Sequence, residues 1–150
     1  MMSKHVISKK DYKELRDKMA AKGMDISGLE NIEVEEKKKD KIYYYMGRPV
    51  IVNDMPTIYL INYIKPKDRV VVIDSGAEPH INNGSNLFAP GIIDMDINIK
   101  KGDTVYIKSS KGYYIALGIA MDDGENIMRN KKGEAVKIIH YMNDQIMKLF

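Results

Sequence analysis

Apolar residues near the start of the chain recur at helical spacing. Tyr12, Leu15 and Met19 fall on one helical face, which predicts a helix over residues 8–22. Ser8 begins this segment and can accept a hydrogen bond from a free backbone amide of the first turn as an N-cap. The simplest interpretation of the apolar face is contact with a core.

After residue 30 the pattern changes to alternation, which predicts short strands. The strand-like runs are 31–36, 42–46, 49–53, 69–74, 92–99, 104–108, 113–121 and 135–141. Short helices are predicted at 57–63, where a strand is also possible, and at 78–83, 122–128 and 145–149. The spacers are too short for the crossover helices of a parallel sheet, so a small mixed barrel is favoured.

Two of these runs carry a more specific expectation. In the run 92–99, alternation assigns one face to Ile93, Met95, Ile97 and Ile99. In the run 113–121, Gly118 indicates a bulge or a close approach of another backbone.

The stretch from residue 76 to residue 91, GAEPHINNGSNLFAPG, separates two apolar runs. Glycine, proline and asparagine are dense in it, which is typical of a backbone that turns sharply and lets another group approach closely. We expect the functional site to lie near this stretch.

Composition excludes several kinds of chemistry. The 150 residues include no cysteine, so disulfides, thiol nucleophiles and Cys-ligated metals are excluded. The three histidines are far apart in sequence, and no nucleophile–base pair is evident. We therefore expect no catalytic residue, no metal, no cofactor and no enzymatic activity. No run is apolar enough to span a bilayer and no leader is evident, which predicts a cytoplasmic protein without a membrane partner.

Charge is unevenly distributed. The net charge is +3, with 14 Lys/Arg against 10 Asp/Glu in residues 1–67 and 9 against 11 in residues 68–144. A nucleic-acid-binding protein usually carries a basic stripe. Charge alone therefore does not identify the second half as an RNA-binding domain.

A succession of short motifs in the second half resembles the PUA domain, named for pseudouridine synthase and archaeosine transglycosylase. In order, the motifs are Ser75-Gly76-Ala77, Asn83-Gly84-Ser85-Asn86-Leu87, Ala89-Pro90-Gly91-Ile92, Lys101-Gly102-Asp103-Thr104-Val105, Ala116-Leu117-Gly118-Ile119-Ala120, Lys132-Gly133-Glu134-Ala135-Val136 and His140-Tyr141-Met142-Asn143-Asp144. The first half resembles the region before the PUA domain in the malignant-T-cell-amplified-sequence family and its archaeal relatives. That likeness rests on Gly47-Arg48-Pro49, the segment 57–63 and the spacing to Arg69.

The resemblance implies an α+β, mostly β fold in two domains. Residues 1–66 would form a small N-terminal α/β pre-PUA unit with a curved three-stranded antiparallel sheet. Residues 67–150 would form a PUA-type mixed β pseudo-barrel that binds RNA.

The resemblance also implies an RNA-binding site. Its residues would be Gly76, Ala77, Glu78, Gly84, Ser85, Asn86, Leu87, Ala89, Pro90, Gly91 and, on the last strand, His140. Ser85 and Asn86 can donate to and accept from base edges, and Leu87 or Phe88 could offer a platform to an unstacked base. Lys100 and Lys101, with Lys108 and Lys111, would neutralise phosphates if they share a face with the stretch.

Each assignment has a structural alternative. The three glycines at 76, 84 and 91 are at least as consistent with backbone shape as with RNA contact. Phe88 fits a core position better than a stacking platform, and a structural role for His140 is as well supported as an RNA contact.

The leading functional hypothesis is a non-catalytic RNA-binding protein of translation or of tRNA or rRNA metabolism. Its partners would be tRNA or rRNA and a translation-factor or ribosomal protein. The alternative is a protein–protein adaptor that docks onto a translation or RNA-modification partner. Lysines around residues 76–91 (Lys100, Lys101, Lys111 and Lys131) would favour RNA, and a ring of carboxylates would favour the adaptor. A third hypothesis, an RNA-modifying enzyme, is weak because the first 66 residues are few and poor in catalytic side chains.

Overall fold

The computed structural model describes residues 4–149, which form two compact units. The first unit contains residues 4–67 and Leu149, and the second is Asp68–Lys148. Strands dominate both units and the helices are short, which confirms the mixed, mostly β fold class.

The first unit is an antiparallel meander with two helices. Its elements are β1 (His5–Val6), α1 (Lys9–Ala21), β2 (Glu33–Lys37), β3 (Asp40–Tyr45), β4 (Arg48–Val52), β5 (Met55–Pro56) and α2 (Ile58–Tyr63). The sheet order follows the chain, β1-β2-β3-β4-β5. The three predicted strands are its centre, and short edge strands, not predicted, extend it on both sides.

Side-chain caps begin both helices of the first unit. The Ser8 hydroxyl accepts from the amide of Asp11, as predicted, and Leu15 and Met19 are buried. The hydroxyl of Thr57 accepts from the Leu60 amide and donates to the carbonyl of Pro49 at 2.9 Å. A buried threonine therefore starts α2 and ties it to the sheet.

The second unit is a curled sheet of mixed direction. Its elements are β6 (Val70–Ile73), α3 (Glu78–Asn82), β7 (Leu87–Phe88), a 3₁₀ turn (Ala89–Gly91), β8 (Ile92–Met95), β9 (Thr104–Ser109), β10 (Tyr114–Ala120), α4 (Gly124–Asn130), β11 (Glu134–Tyr141) and a 3₁₀ turn (Ile146–Leu149). The order is β7-β11-β10-β9-β6-β8. Strands β6 and β9 are parallel and the other pairs antiparallel, which gives a curled half-barrel around one apolar core, as the resemblance implied.

The predicted bulge in β10 is confirmed. The pairing register of β10 and β11 shifts between Leu117 and Gly118. A Cβ atom on Gly118 would lie 2.3 Å from the carbonyl oxygen of Lys137, so the partner strand approaches too closely for a side chain.

The predicted alternation over 92–99 is wrong. The strand ends at Met95, and Ile93 and Ile97 are 54% and 62% exposed while Met95 and Ile99 are buried. The chain turns after Met95, where the Asp96 carboxylate accepts from the Asn98 amide, so period-two spacing no longer applies.

Within residues 4–149, no helix has both the length and the apolar character needed to cross a membrane.

Candidate nucleic-acid interface

The stretch between β6 and β8 folds around an open groove of about 550 Å³. Most of its wall is apolar side chain and glycine backbone. The lining residues are Asp74, Gly76, Ala77, His80, Ile81, Ser85, Asn86, Leu87, Phe88, Pro90 and Gly91. One continuous segment of 18 residues therefore supplies the whole groove.

Asp74 closes this segment into a loop. Its amide donates to the carbonyl of Gly91 at 3.0 Å, and its carboxylate accepts from the amide of Ala77 at 2.8 Å. A Cβ atom on Gly91 would lie 2.9 Å from the Cβ of Ala77. Close packing at Gly91 thus holds the two ends of the segment together.

Glycines 84 and 76 differ in what surrounds them. Gly84 has a φ of +89°, and a Cβ there would lie 2.6 Å from the ring of Tyr141. Gly76 would meet the Asp74 carboxylate at an ordinary 3.4 Å. Gly84 is therefore required for backbone shape, whereas a side chain at Gly76 would make only an ordinary contact with Asp74.

Asn86 fastens the groove to the last strand. Its amide nitrogen donates to the Glu134 carboxylate at 3.0 Å, and its carbonyl oxygen accepts from the Ile138 amide at 3.1 Å. These bonds occupy the polar atoms that were expected to read a base edge. Ser85 is exposed at the groove, where its hydroxyl remains available to a ligand.

The expected roles of three neighbouring apolar residues require correction. Phe88, expected in the core, is 52% exposed and lines the groove, while Leu87 is 1% exposed. Strand β7 pairs with β11, and its alternation turns Leu87 inward and Phe88 outward. Phe88 is therefore an exposed aromatic ring of the groove wall, Leu87 is the floor of the groove, and the Ala89 side chain is buried in the core.

Glu78 supports the fold of this region from within. One carboxylate oxygen accepts from the Ser109 hydroxyl at 3.0 Å and the other from the Tyr113 hydroxyl at 3.1 Å. Both oxygens thus connect α3 to the β9–β10 hairpin, and Glu78 does not line the groove. Pro90, by contrast, is exposed and lines it.

His140 is fully buried, which favours the structural alternative for its side chain. Its Nδ1 lies 2.6 Å from the Asp144 carboxylate, which also accepts from the Tyr141 amide. Burial lowers the pKa of His140 below its usual 6.5, although the bond to Asp144 acts in the opposite direction. The ring is therefore neutral at pH 7 and holds the end of β11 in place.

Lys100 and Lys101, expected to neutralise phosphates only if they share a face with the stretch, do not line the groove. Their amides donate to Asp103 and Asp123 in a turn before Thr104, whereas β6 reaches the groove beside Ser109. The six residues of β9, about 16 Å of strand, lie between these points.

Two other lysines lie closer to the groove. The amide of Lys111 donates to the hydroxyl of Ser109, which in turn donates to Glu78. The ammonium group of Lys131 donates to the carbonyl of Ile92, the residue after Gly91. The carboxylates of Asp74, Glu78 and Glu134 lie in the same region. The groove border is therefore mixed in charge.

Four groove residues were missing from the predicted site, namely Asp74, His80, Ile81 and Phe88, although Phe88 was named as a possible platform. Asp74 ends the β-branched run, and His80 and Ile81 occupy the short helix. A five-residue helix between glycines offers too little pattern to predict which face lines a cavity. Among residues 4–149, no group of three or more His, Asp or Glu could hold a metal ion.

Comparison with known proteins gives two family matches. Residues 69–142 match the model described as "PUA domain", and residues 3–64 match "Domain of unknown function (DUF1947)". An uncharacterized protein of Methanocaldococcus jannaschii is 31% identical over 95% of this chain and 94% of its own length. A solved structure described as a conserved PUA domain protein from Thermoplasma acidophilum is 46% identical, covers 99% of both chains and has a TM-score of 0.91.

A further relative shares only the second half of the chain. The "Probable tRNA pseudouridine synthase B" of Nanoarchaeum equitans is 41% identical over 75 residues, which are 50% of this chain and 21% of that protein. The similarity is therefore confined to one domain of a longer enzyme.

Proposed function

Because this chain belongs to the PUA-domain proteins that carry a DUF1947 region before the PUA domain, we propose that it binds RNA without catalysing a reaction. The RNA is tRNA or rRNA with an unpaired end or loop, and the role lies in translation or in tRNA or rRNA metabolism. A relative of the second half is a tRNA-modifying enzyme by name, which supports an RNA ligand for the shared domain.

The observation that carries the proposal is the exposed ring of Phe88 in an apolar groove. Single-stranded bases stack on aromatic side chains whatever their sequence. Gly76 contributes no side chain to the groove wall, and the exposed Ser85 adds a hydroxyl to the same groove. The groove can thus receive an unstacked base, while phosphate contacts would come from lysines outside it.

The test is binding of tRNA and of small-subunit rRNA across a salt series. Affinity should fall as salt rises, and Phe88→Ala should weaken binding by about 1–2 kcal/mol, or roughly 5- to 30-fold. Gly76→Leu should also weaken binding, because it adds a bulky side chain to the groove lining, and its Cβ meets Asp74 only at an ordinary 3.4 Å.

Ile93→Ala is the matched control for Phe88→Ala. Ile93 is a 54% exposed apolar residue outside the groove, so its loss should leave RNA affinity unchanged. Equal losses in both variants, or binding that ignores salt, would count against the proposal.

The mixed charge around the groove favours a second candidate, the protein adaptor. Asp74, Glu78 and Glu134 lie at or beside the groove, and Lys100 and Lys101 do not. Each of these carboxylates, however, already accepts hydrogen bonds from the protein itself. If Phe88→Ala loses a protein that co-purifies with the unaltered chain but keeps its affinity for RNA, the adaptor is favoured.

A further inference from the structure

The hairpin between β9 and β10 meets the short helix that contributes to the groove wall. Its end comprises residues 109–113, which we name the Tyr113 tip. Within the tip, the hydroxyls of Ser109 and Tyr113 donate to the two carboxylate oxygens of Glu78 on α3. Ala77, the residue before Glu78, lines the groove. Because successive residues of a helix point about 100° apart, the tip meets α3 on the face next to the one that lines the groove.

The Tyr113 ring is exposed but fixed in orientation. The residue is 44% exposed, and its hydroxyl donates to Glu78 at 3.1 Å. A tyrosine side chain turns about few torsions, so one hydrogen bond at the far end of the ring holds the plane of the ring. The ring therefore presents a flat surface whose orientation is set before a ligand binds, which lowers the entropic cost of binding.

The backbone of the Tyr113 tip is closed by its own hydrogen bonds. The Ser109 amide donates to the Tyr113 carbonyl at 2.8 Å, and the Gly112 amide donates to the Ser109 carbonyl at 2.9 Å. The Lys111 amide donates to the Ser109 hydroxyl at 3.0 Å. Lys111 lies within this turn and is exposed. An ordered backbone thus carries the Lys111 side chain into solvent.

Charge around the Tyr113 tip is balanced, so charge does not select the ligand. Lys108 and Lys111 belong to this hairpin, and the acids Glu78 and Asp74 lie on α3 and at the end of the adjacent strand β6. Both oxygens of Glu78 and one of Asp74 accept hydrogen bonds from the protein itself. Within residues 4–149, no carboxylate lies at ion-pair distance from Lys111. Its ammonium group can therefore meet a phosphate.

The surroundings of the Tyr113 ring suit a base better than a peptide. The other exposed residues of the tip are Ser110, Lys111 and Gly112, and none of them has an apolar side chain. A peptide that docks through apolar side chains needs a contiguous apolar surface, whereas a base stacks on a single ring. A phosphate next to that base can pair with a lysine. The tip therefore favours a single-stranded nucleic acid.

We propose that the Tyr113 tip is a second contact for the RNA that the groove binds, with a base stacked on Tyr113 and a phosphate against Lys111. This inference rests on the proposed function for its ligand, but it uses different residues. The ligand is then a run of unpaired nucleotides that passes over the start of α3, and not one extruded base. Two contacts with one strand would raise the overall affinity through effective concentration.

The base contact is tested by binding of a single-stranded RNA of about ten nucleotides to the full chain. Tyr113→Ala should weaken binding about fivefold, because it removes the ring. Tyr113→Phe is the matched control: it loses the same hydrogen bond to Glu78 but keeps the ring, so it should retain most of the affinity. Equal losses in the two variants would mean that Tyr113 only anchors α3. That result, or unchanged binding in Tyr113→Ala, overturns the inference.

The phosphate contact is tested with two lysines from opposite ends of β9. Lys111 follows this strand and Lys101 precedes it. Lys111→Gln should reduce the slope of log affinity against log salt by about 0.7, the value for one phosphate on a single strand. Lys101→Gln removes the same charge at the other end and should leave the slope unchanged. Equal changes in both variants would show a general charge effect and overturn the phosphate contact.

Ultraviolet cross-linking and the Phe88→Ala variant separate the two proposals. Cross-links should map to the peptides that contain Phe88 and Tyr113. If Phe88→Ala weakens binding and Tyr113→Ala does not, the groove binds RNA and the Tyr113 tip does not. If only Tyr113→Ala weakens binding, the tip is an RNA contact and the groove is not. Failure of the unaltered chain to bind RNA overturns both.

Discussion

The groove segment of residues 74–91 and the turn of residues 100–103 look alike in sequence but differ in shape. Both combine glycine with polar residues, and both were predicted to belong to one RNA site. In the groove segment Ile81, Leu87 and Ala89 are buried beneath the backbone. In the turn, the amides of Lys100 and Lys101 donate to the carboxylates of Asp103 and Asp123. The comparison shows that buried apolar side chains beneath the backbone give the groove segment its concave surface. Lysines in a turn without such a surface do not by themselves identify a binding site.

The largest expected effect concerns the anchor of the groove segment. Asn86→Ala should destabilise the chain by about 2–3 kcal/mol, because it removes two hydrogen bonds and leaves the Ile138 amide unpaired. Urea unfolding measures this change. Ser85→Ala, at the exposed neighbour, should cost under about 0.5 kcal/mol. Similar costs for both variants would mean that the segment is not anchored through Asn86.

The next prediction compares one glycine from each region. Gly84 and Gly102 have nearly equal φ values, +89° and +91°, but a Cβ meets the Tyr141 ring at Gly84 and nothing within 4 Å at Gly102. Gly102→Ala should therefore lower the free energy of unfolding by about 1 kcal/mol, because only the strain of an alanine at this positive φ contributes. Gly84→Ala should cost about 2 kcal/mol, because the ring must also move. Thermal unfolding measures both, and equal costs would contradict the close packing of the groove segment.

A smaller, gradual effect should appear with pH at the end of β11. Burial holds the pKa of His140 below 6.5, so the unfolded chain binds more protons than the folded one near that pH. The stabilisation that depends on a neutral His140 ring should therefore be complete above pH 6.5. The free energy of unfolding should decrease as the pH falls below 6.5. His140→Gln should flatten this dependence in urea titrations between pH 7 and pH 5. An unchanged slope in the variant would assign the effect to another group.

The smallest expected effect is a difference in RNA affinity between variants of two lysines that lie in different parts of the second unit. Lys132 is exposed next to Gly133, whose carbonyl accepts from Ala89, while Lys101 lies in the remote turn. Lys132→Gln should weaken RNA binding about two- to threefold and lower the salt slope. Lys101→Gln should change neither. The opposite result would restore the turn as part of the RNA site.

Much of the fold was predictable because its signals are local. The cap at Ser8, the bulge at Gly118 and the short helix at α3 each follow from a few neighbouring residues. The fold class was also correct. The alternation across 92–99 was wrong because the strand turns after Met95, and the repeat of isoleucines does not reveal this.

The sequence by itself determined most of the helices and central strands and the resemblance to the PUA domain, since these depend on residue type, spacing and motif order. Tertiary structure alone decided that Phe88 faces the groove, that Asn86 faces Glu134, and that Lys101 lies elsewhere. The Asn86–Glu134 bond joins residues 48 positions apart. Which side chains remain free for a ligand depends on such long-range pairings, and no local pattern encodes them.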